Sequence, residues 1–494
     1  MSSIPLYING EFIETKDKQN VLNPSTGKVI AQASVASAKE IELAVESARK
    51  SFDGGSWSRM PFKERRQVIL KIAEGILNKA GDLARIETEN TGKPIKETTF
   101  MDVPSSAKTF ENIANSFENY LASDILNVSE ESRAVLLREP IGVTALIIPW
   151  NYPLLIASWK LAFALTAGNS VILKPSSLTP LSAFELGKII HEAGLPKGVV
   201  NIINASGTSI GQLLCSDKRV DMVSFTGSLE VGKEILRYSS ANIKKLLMEL
   251  GGKSASLIFE DVDIDTAVNS ALCSIFLNQG QMCTAMSRIF VHDKILDKFT
   301  NSFVNKTKAI KLGPSDSHET QMGPLISDSQ RKKVIAYIEK AKAEGAKILC
   351  GGKIPQDHAL KNGYFFEPTV IAGIKPTMHI FKEEVFGPVV IIGSFHDAAE
   401  AASLANNSDF ALASCIFTHD LRLAEEVAKK INSGTVWINT YGMFYSQLPY
   451  GGFKQSGFGK ELGKEGFLEY TRLKNIITDH SPEGKPLVSY WYGF

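Results

Sequence analysis

Cys283 lies in NQGQMCTAMSR, just after Gly280 and Gln281 and among small or polar residues, in a stretch that is otherwise apolar. A Gly-Gln pair marks a turn, and a turn gives a sulfur access to the solvent. Access separates a nucleophilic thiol from the buried structural thiol that a single cysteine usually is. Four polar clusters each follow a short apolar run: Pro149, Trp150 and Asn151 after VTALII; Lys174, Pro175 and Ser176 after SVIL; Thr226, Gly227 and Ser228 after MVSF; and Glu249 with Gly251 and Gly252 after KLLM. Singly these are ordinary, since a lysine after a strand is commonly a solvated end and a Gly-Ser pair opening a helix is commonly a cap. Recurring at successive strand ends, they point to a dinucleotide site. Gly227, Ser228 and Gly232 form a GSxxxG turn in place of the common GxGxxG, so the phosphate site is of a variant kind. Gly227 lets the backbone approach a pyrophosphate, and the free N–H groups at the next helix start attract negative charge.

These groups need a scaffold, and the hydrophobic pattern supplies one. From about 143 to 260 the runs VTALIIP, SVILKP, VVNII, MVSFTG, KLLMEL and SASLIF alternate with helical segments, which predicts a parallel, doubly wound sheet. The alternation resumes after Cys283 with SRIFV, helices near 294–310 and 328–344, then KILCG, PVVIIGSF, CIFTHD and TVWIN, predicting a second α/β domain. Upstream, Ser37 and Glu40 form a capping box ahead of Ile41, Ala44, Val45, Ala48 and Phe52 at helical spacing. A further helical stretch runs from Pro61 to about Glu89, where Asn90, Gly92 and Pro94 stop it. The segment SEESRAVLLREP, 129–140, reads as an excursion that packs elsewhere. The C-terminal segment ends near Trp491 and Tyr492, and terminal aromatics predict a partner surface and a homo-oligomer. The competing reading folds this tail back on its own subunit.

Composition bounds the function. A chain of 494 residues accommodates about three domains. Its 44% hydrophobic and 22% charged residues exclude disorder and collagen. Lys and Arg number 54 against 53 Asp and Glu, so no basic field exists to attract nucleic acid. Five cysteines lack the spacing of a disulfide framework or a zinc site, in keeping with a reducing cytoplasm. No HExxH or Cys/His cluster is present, so no catalytic metal is expected; the sequence is silent on a structural monovalent cation. The start MSSIPLYINGEF lacks a basic stretch followed by an apolar one, and no apolar run nears the ~20 residues of a membrane span, so neither export nor insertion is expected.

The chain resembles the aldehyde dehydrogenase superfamily over essentially its whole length. The matching stretches are PWNYP (149–153), KPS (174–176), FTGS (225–228), ELGGK (249–253), GQMC (280–283), FFEPTV (365–370), EEVFGPV (383–389) and YGGFKQSGFGKELGKEG (450–466). The resemblance implies an α/β fold in three parts. These are a doubly wound cofactor domain (1–120 and 141–251), an α/β catalytic domain (252–455), and a small β oligomerisation element formed by 121–140 with the tail 456–494. Family members are usually dimers or tetramers, so a homodimer or homotetramer is implied.

The resemblance also implies roles. Cys283 is the thiolate nucleophile, because an aldehyde carbon releases hydride readily only from a tetrahedral adduct. The Asn151 amide and the Cys283 backbone N–H receive the oxyanion, and Glu249 activates the water that hydrolyses the thioester. That carboxylate favours hydrolysis to the free acid over transfer to coenzyme A. For NAD or NADP, Lys174 matches the adenosine-ribose contact, with Ser176 beside it, and Ser228, next to Gly227, matches the pyrophosphate contact. Glu384 matches the nicotinamide-ribose carboxylate, with Phe386 and Trp150 in the same channel. NAD-preferring relatives commonly have Glu three residues after the lysine; here Ser177 stands there, and it can donate to a 2'-phosphate that a carboxylate would repel.

The pocket positions map onto Tyr152, Trp159, Leu277, Phe444 and Tyr450. The rings of Tyr152, Trp159 and Tyr450 can face a quaternary ammonium group, as in the betaine aldehyde dehydrogenase branch. An apolar tunnel for aliphatic or aromatic aldehydes is the alternative, because Leu277 stands where that branch often has an aromatic. Asp102 would add negative charge near the mouth and favour an amino aldehyde, or sit as a surface carboxylate on its helix. From other classes, a cysteine hydrolase would need a histidine partner that no motif supplies. A catalytically silent binding protein would have no chemical reason to keep Cys283, Glu249 and Asn151 together.

Overall fold

The computed structural model describes residues 2–121, 124–205 and 208–481. Helix Ala38–Gly54 starts on the expected capping box, in which Ser37 accepts from Lys39 N–H while Glu40 reaches back to Ser37. It buries Ile41, Ala44, Val45 and Ala48 and ends at Gly55, which takes the left-handed conformation at φ 79°. The single helix expected from Pro61 is two helices, Phe62–Asn78 and Ala80–Thr91, because Lys79 leaves helical geometry at φ −107°, ψ 19°.

Five parallel strands form the centre of the first sheet, side by side in the order Lys245–Glu249, Met222–Thr226, Val143–Ile147, Ser170–Lys174 and Val200–Ile202. Their side chains are almost all buried, as expected of a sheet covered on both faces. The antiparallel strands Leu6–Ile8 and Glu11–Ile13 extend one edge, and Gly457–Phe458 pairs antiparallel at the other. The chain runs outward from Val143–Ile147 in one direction and then returns to the other side with Met222–Thr226. The crevice at the carboxyl ends of these two strands is therefore the switch point where open α/β sheets bind ligands. Helix Pro153–Ala167 follows the first of these strands and is buried nearly all round.

The second sheet carries Thr369–Ala372, Val389–Phe395, Arg288–His292, Ala255–Ile258, Ala413–Phe417 and Thr435–Ile438 in parallel, with Lys347–Cys350 antiparallel at one edge. Apolar clusters cover both its faces, one around Phe276, Phe299 and Phe303 and one around Phe366, Phe381 and Phe395. The excursion is real. Ser132–Pro140 pairs antiparallel with Asp124–Asn127 on one side and Thr471–Asp479 on the other, making an arm on which Leu473, Ile476 and Ile477 are exposed. Residues 457–470 belong structurally to the edge of the first sheet, through Gly457–Phe458 and the helix Gly463–Glu469, and the arm strand begins only at Thr471. Trp491 and Tyr492 lie outside the described residues. No helix among the described residues is long and apolar enough to cross a membrane.

Candidate active site

The turn around Cys283 is built from unusual backbone. Helix Ile264–Phe276 gives way to Asn278 and Gln279, both left-handed at φ 48° and 57°, and then Gly280 at φ 69°. Non-glycine residues resist that region by ~1–2 kcal/mol each, so other contacts must hold them there. Asn278 N–H donates to Glu97 (3.1 Å), and its side-chain amide donates to the carbonyls of Asn151 (3.1 Å) and Gln281 (3.2 Å). Gln279 donates to the Gly92 carbonyl, and Gln281 accepts from Ile326 N–H. At Gly280 a Cβ would stand 2.2 Å from the Gly387 carbonyl oxygen, so only glycine fits. The result is a half-buried Cys283 facing the cavity, its Sγ 3.2 Å from the Tyr450 hydroxyl. Burial pushes its thiol up to about 12, with smaller upward pushes from Glu384 and Glu249; the Tyr450 hydroxyl and the Thr284 N–H act in the opposite direction.

Asn151 follows the central strand and is 6% exposed. One N–H of its side-chain amide donates to the Gln281 carbonyl at 2.9 Å, which fixes the amide against the Cys283 turn. The amide nitrogen carries a second N–H for an oxygen in the cavity.

Glu249 ends the strand Lys245–Glu249 and is 3% exposed, and neither carboxylate oxygen accepts a hydrogen bond from a described residue. Its proton affinity is raised well above the usual carboxylate range, by burial first and by the neighbouring Glu461 second, with Lys160 and Lys460 opposing. Gly451 leaves the room it needs, since a Cβ there would come within 2.3 Å of Oε1. Beside it is a buried ion pair that sequence reasoning missed: Lys160 contacts Glu461 and also donates to Ser224 Oγ at 2.7 Å. The available signal was one lysine inside the otherwise apolar helix PLLIASWKLAFALTA, because an ammonium group there must find a buried partner.

The expected cofactor residues also meet in this cavity of about 810 Å³, which Trp150, Lys174, Ser176, Ser177, Gly227, Ser228, Glu384 and Phe386 line. Ser228 caps the helix Leu229–Ser239 by accepting from Val231 N–H. A Cβ on Gly227 would be 2.4 Å from the Phe225 ring, and one on Gly232, in the helix that follows, would be 2.7 Å from a Leu250 methyl, so either would displace a side chain. Ser176 accepts from Leu178 N–H, which turns the chain so that Ser177 lines the cavity. Burial lowers the Lys174 ammonium to about 8. Glu384 accepts from Gly252 N–H at 2.9 Å, and burial raises its carboxyl to about 7. Phe386 is left-handed at φ 57°, held by Gln330 donating to its carbonyl at 2.7 Å, and its ring meets Trp150 edge-on at 5.2 Å.

On the aldehyde side, Trp159, Phe444 and Tyr450 lie 5.4–5.9 Å apart, ring to ring, and Tyr152 lines the same cavity. Three expectations need correction. Leu277 is not among the residues lining this cavity; with Phe276, Leu272 and Cys273 it lines an adjoining hollow, which shares Phe100 and Met101 with the cavity. Asp102 is not a surface carboxylate but is 1% exposed and ion-paired with the fully buried Lys93. The ring of Tyr152 is already engaged, because the Lys93 ammonium sits 4.0 Å from its centroid. Lys93, Asp102, Glu87 and Glu97 form a buried ionic cluster behind the Cys283 turn, and burial raises the carboxyls of Glu87 and Glu97 to about 7 and about 8.

Known proteins are similar to this chain along nearly its whole length. The aldehyde dehydrogenase family profile matches residues 12–476. Betaine aldehyde dehydrogenase of Bacillus subtilis is 42% identical over 479 residues, covering 97% of this chain and 98% of its own. Betaine aldehyde dehydrogenase 1 of Oryza sativa subsp. japonica is 42% identical over 492 residues, covering 98% of this chain and 97% of its own. The crystal structure of betaine aldehyde dehydrogenase from Staphylococcus aureus in complex with NAD+ matches with a TM-score of 0.96 at 40% identity, over 98% of this chain and 96% of that one. With the profile covering nearly every residue and these relatives similar from end to end, the chain belongs to the aldehyde dehydrogenase family.

Proposed function

We propose that this enzyme oxidises a quaternary ammonium aldehyde of the betaine aldehyde type to its acid, with Cys283 as the nucleophile. The observation that carries the substrate class is the wall of Trp159, Phe444 and Tyr450 in the cavity that also holds Cys283 and Asn151. Each ring face attracts a tetraalkyl cation by ~0.5–2 kcal/mol, while the same wall gives an anionic aldehyde nothing. The relatives named above act on betaine aldehyde, which supports the reading.

A dinucleotide fits the other side of the cavity. Gly227, the capped helix start at Ser228 and Glu384 line it together. Lys174 and Ser228 would hold its adenosine ribose and pyrophosphate, and Glu384, with Phe386 and Trp150, its nicotinamide end. Bound there, the nicotinamide supplies the hydride acceptor. The chain does the rest. Cys283 Sγ adds to the carbonyl carbon, and the Asn151 amide and the Cys283 N–H receive the oxyanion, a type of contact worth ~3–4 kcal/mol of barrier. Once oxidised, the carbon is held as a thioester on Sγ. Glu249, which accepts no hydrogen bond from a described residue and is high in proton affinity, takes a proton from the water that hydrolyses it.

The Staphylococcus aureus relative is in complex with NAD+, and we extend the reading to NADP because Ser177 lines the cavity where a carboxylate would repel a 2'-phosphate. We assign 1–120 with 141–251 to the cofactor domain and 252–455 to the catalytic domain. The arm is assigned to contacts in a homodimer or homotetramer, supported by its exposed Leu473, Ile476 and Ile477. A cytoplasmic setting accords with five cysteines that are all free. A second reading, a broad-specificity aldehyde dehydrogenase, draws support from Lys93 occupying the Tyr152 ring.

The test is a substrate panel of betaine aldehyde, aminobutyraldehyde, and short and long alkanals, each with NAD and NADP. The proposal expects kcat/KM to be highest for betaine aldehyde. Equal values across the alkanals would favour the second reading.

A further inference from the structure

Tyr450 is held more firmly than a residue that only lines a tunnel requires. Its backbone N–H and carbonyl both bond to Glu461, at 2.7 Å each, and its ring is met edge-on by Trp159 at 5.4 Å and Phe444 at 5.5 Å. The side chain is buried, and among the described residues its hydroxyl has one hydrogen-bond partner, Cys283 Sγ at 3.2 Å. In the neutral pair either group can donate. Once the thiol has lost its proton only the phenol can, because a thiolate has no hydrogen to give.

The surroundings make that bond matter. The carboxylates of Glu249 and Glu384 both disfavour a negative charge on Sγ, and so does burial. The phenols of Tyr152 and Tyr441 are nearby, but Tyr152 is directed at Met282 Sδ at 3.6 Å, and Tyr441 is shared between Met282 Sδ at 3.1 Å and Thr284 Oγ1 at 3.5 Å. The groups that favour the thiolate are the Thr284 N–H and the Tyr450 O–H. Burial also holds the proton on Tyr450 far above neutral pH, so it remains a donor over the working range.

We propose that Tyr450 is a catalytic residue of this enzyme: its phenol donates a hydrogen bond to the Cys283 thiolate and sets how much nucleophile exists near neutral pH. The inference rests on the reading of Cys283 as the nucleophile. No proton leaves the phenol; the thiol proton goes to a base, and the O–H stays on oxygen while Sγ bonds to carbon. A hydrogen bond to a charged acceptor moves its titration by about one to two units. Each unit gives about tenfold more thiolate, and with a Brønsted slope near 0.5 each thiolate is about threefold less reactive, a net gain of about threefold per unit.

The experiment is the pH dependence of iodoacetamide alkylation, read on the Cys283 peptide by mass, in the wild type and in Tyr450→Phe. The variant keeps the ring and its packing. Its alkylation midpoint is expected to rise by about one to two units, and kcat/KM near pH 7.5 to fall about three- to tenfold. Superimposable profiles would overturn the proposal. Replacing Tyr450 with 3-fluorotyrosine, a stronger donor of nearly the same shape, serves if the phenylalanine variant does not fold. The midpoint should then fall, and an unchanged midpoint would again overturn the role. Dehydrogenase activity persisting with Cys283 fully alkylated would instead sink the nucleophile reading, and the catalytic role of the phenol with it.

Discussion

Of the carboxylates that line the cavity, Glu384 on the cofactor side and Glu249 on the aldehyde side are held in opposite ways. Glu384 accepts the Gly252 N–H, and its carboxyl sits at about 7. Glu249 accepts nothing from a described residue, lies beside a second carboxylate, and has its proton affinity raised much further. A carboxylate fixed by a backbone donor keeps its orientation and suits gripping a ligand. One with no donor keeps both lone-pair sets open and a strong appetite for a proton, which suits a base. Residue type and burial alone would have given both the same role.

The sharpest way to break this contrast is to alter the ion pair beside Glu249. Lys160→Met leaves Glu461 buried without its cation, which should cost ~3–5 kcal/mol of stability, read as a fall in Tm. The pH profile adds a sign. A general base works only above its own pKa, so activity falls as pH drops through that value. Lys160 lowers the Glu249 value and Glu461 raises it, so Lys160→Met should move the acid limb up and Glu461→Gln should move it down. Limbs moving in the same direction would mean that the pair acts on structure only.

On the cofactor side, Gly251→Ala would put a Cβ 2.4 Å from Glu384 Oε2. Overpacking of ~1–3 kcal/mol translates into a dinucleotide KM about ten- to hundredfold higher, with the thioester chemistry at saturation little changed. A change in kcat with KM constant would contradict the division of labour. The smallest effect belongs to Ser177→Glu, which should disfavour NADP relative to NAD by about tenfold in steady-state kinetics. No change in that ratio would remove Ser177 from cofactor selection.

What could be read from the sequence was local. Gly227 and Ser228 come directly after a strand, and Gly280 announces the Cys283 turn, so the chemistry-bearing residues show within a few positions of their scaffold. The features that could not be read were long-range or rotational. Lys160 and Glu461 are 301 residues apart, and no spacing rule connects them. Asp102 reads as a surface residue on a regular helix, but Thr98–Asp102 is a π-helical turn, whose extra residue shifts the helical phase and sends the Asp102 side chain inward to Lys93. Leu277, placed in the pocket by the family resemblance, precedes two left-handed residues and lines the neighbouring hollow instead.

The most direct measurement is the mass of the Cys283 peptide during turnover by Glu249→Gln, with Cys283→Ala as the control. If Glu249 is the base that releases the acid, the peptide should carry the mass of an acyl group while steady-state turnover falls ~10²–10⁴-fold, and the alanine variant should show neither adduct nor turnover. An unmodified Cys283 peptide in slowly turning-over Glu249→Gln enzyme would contradict it.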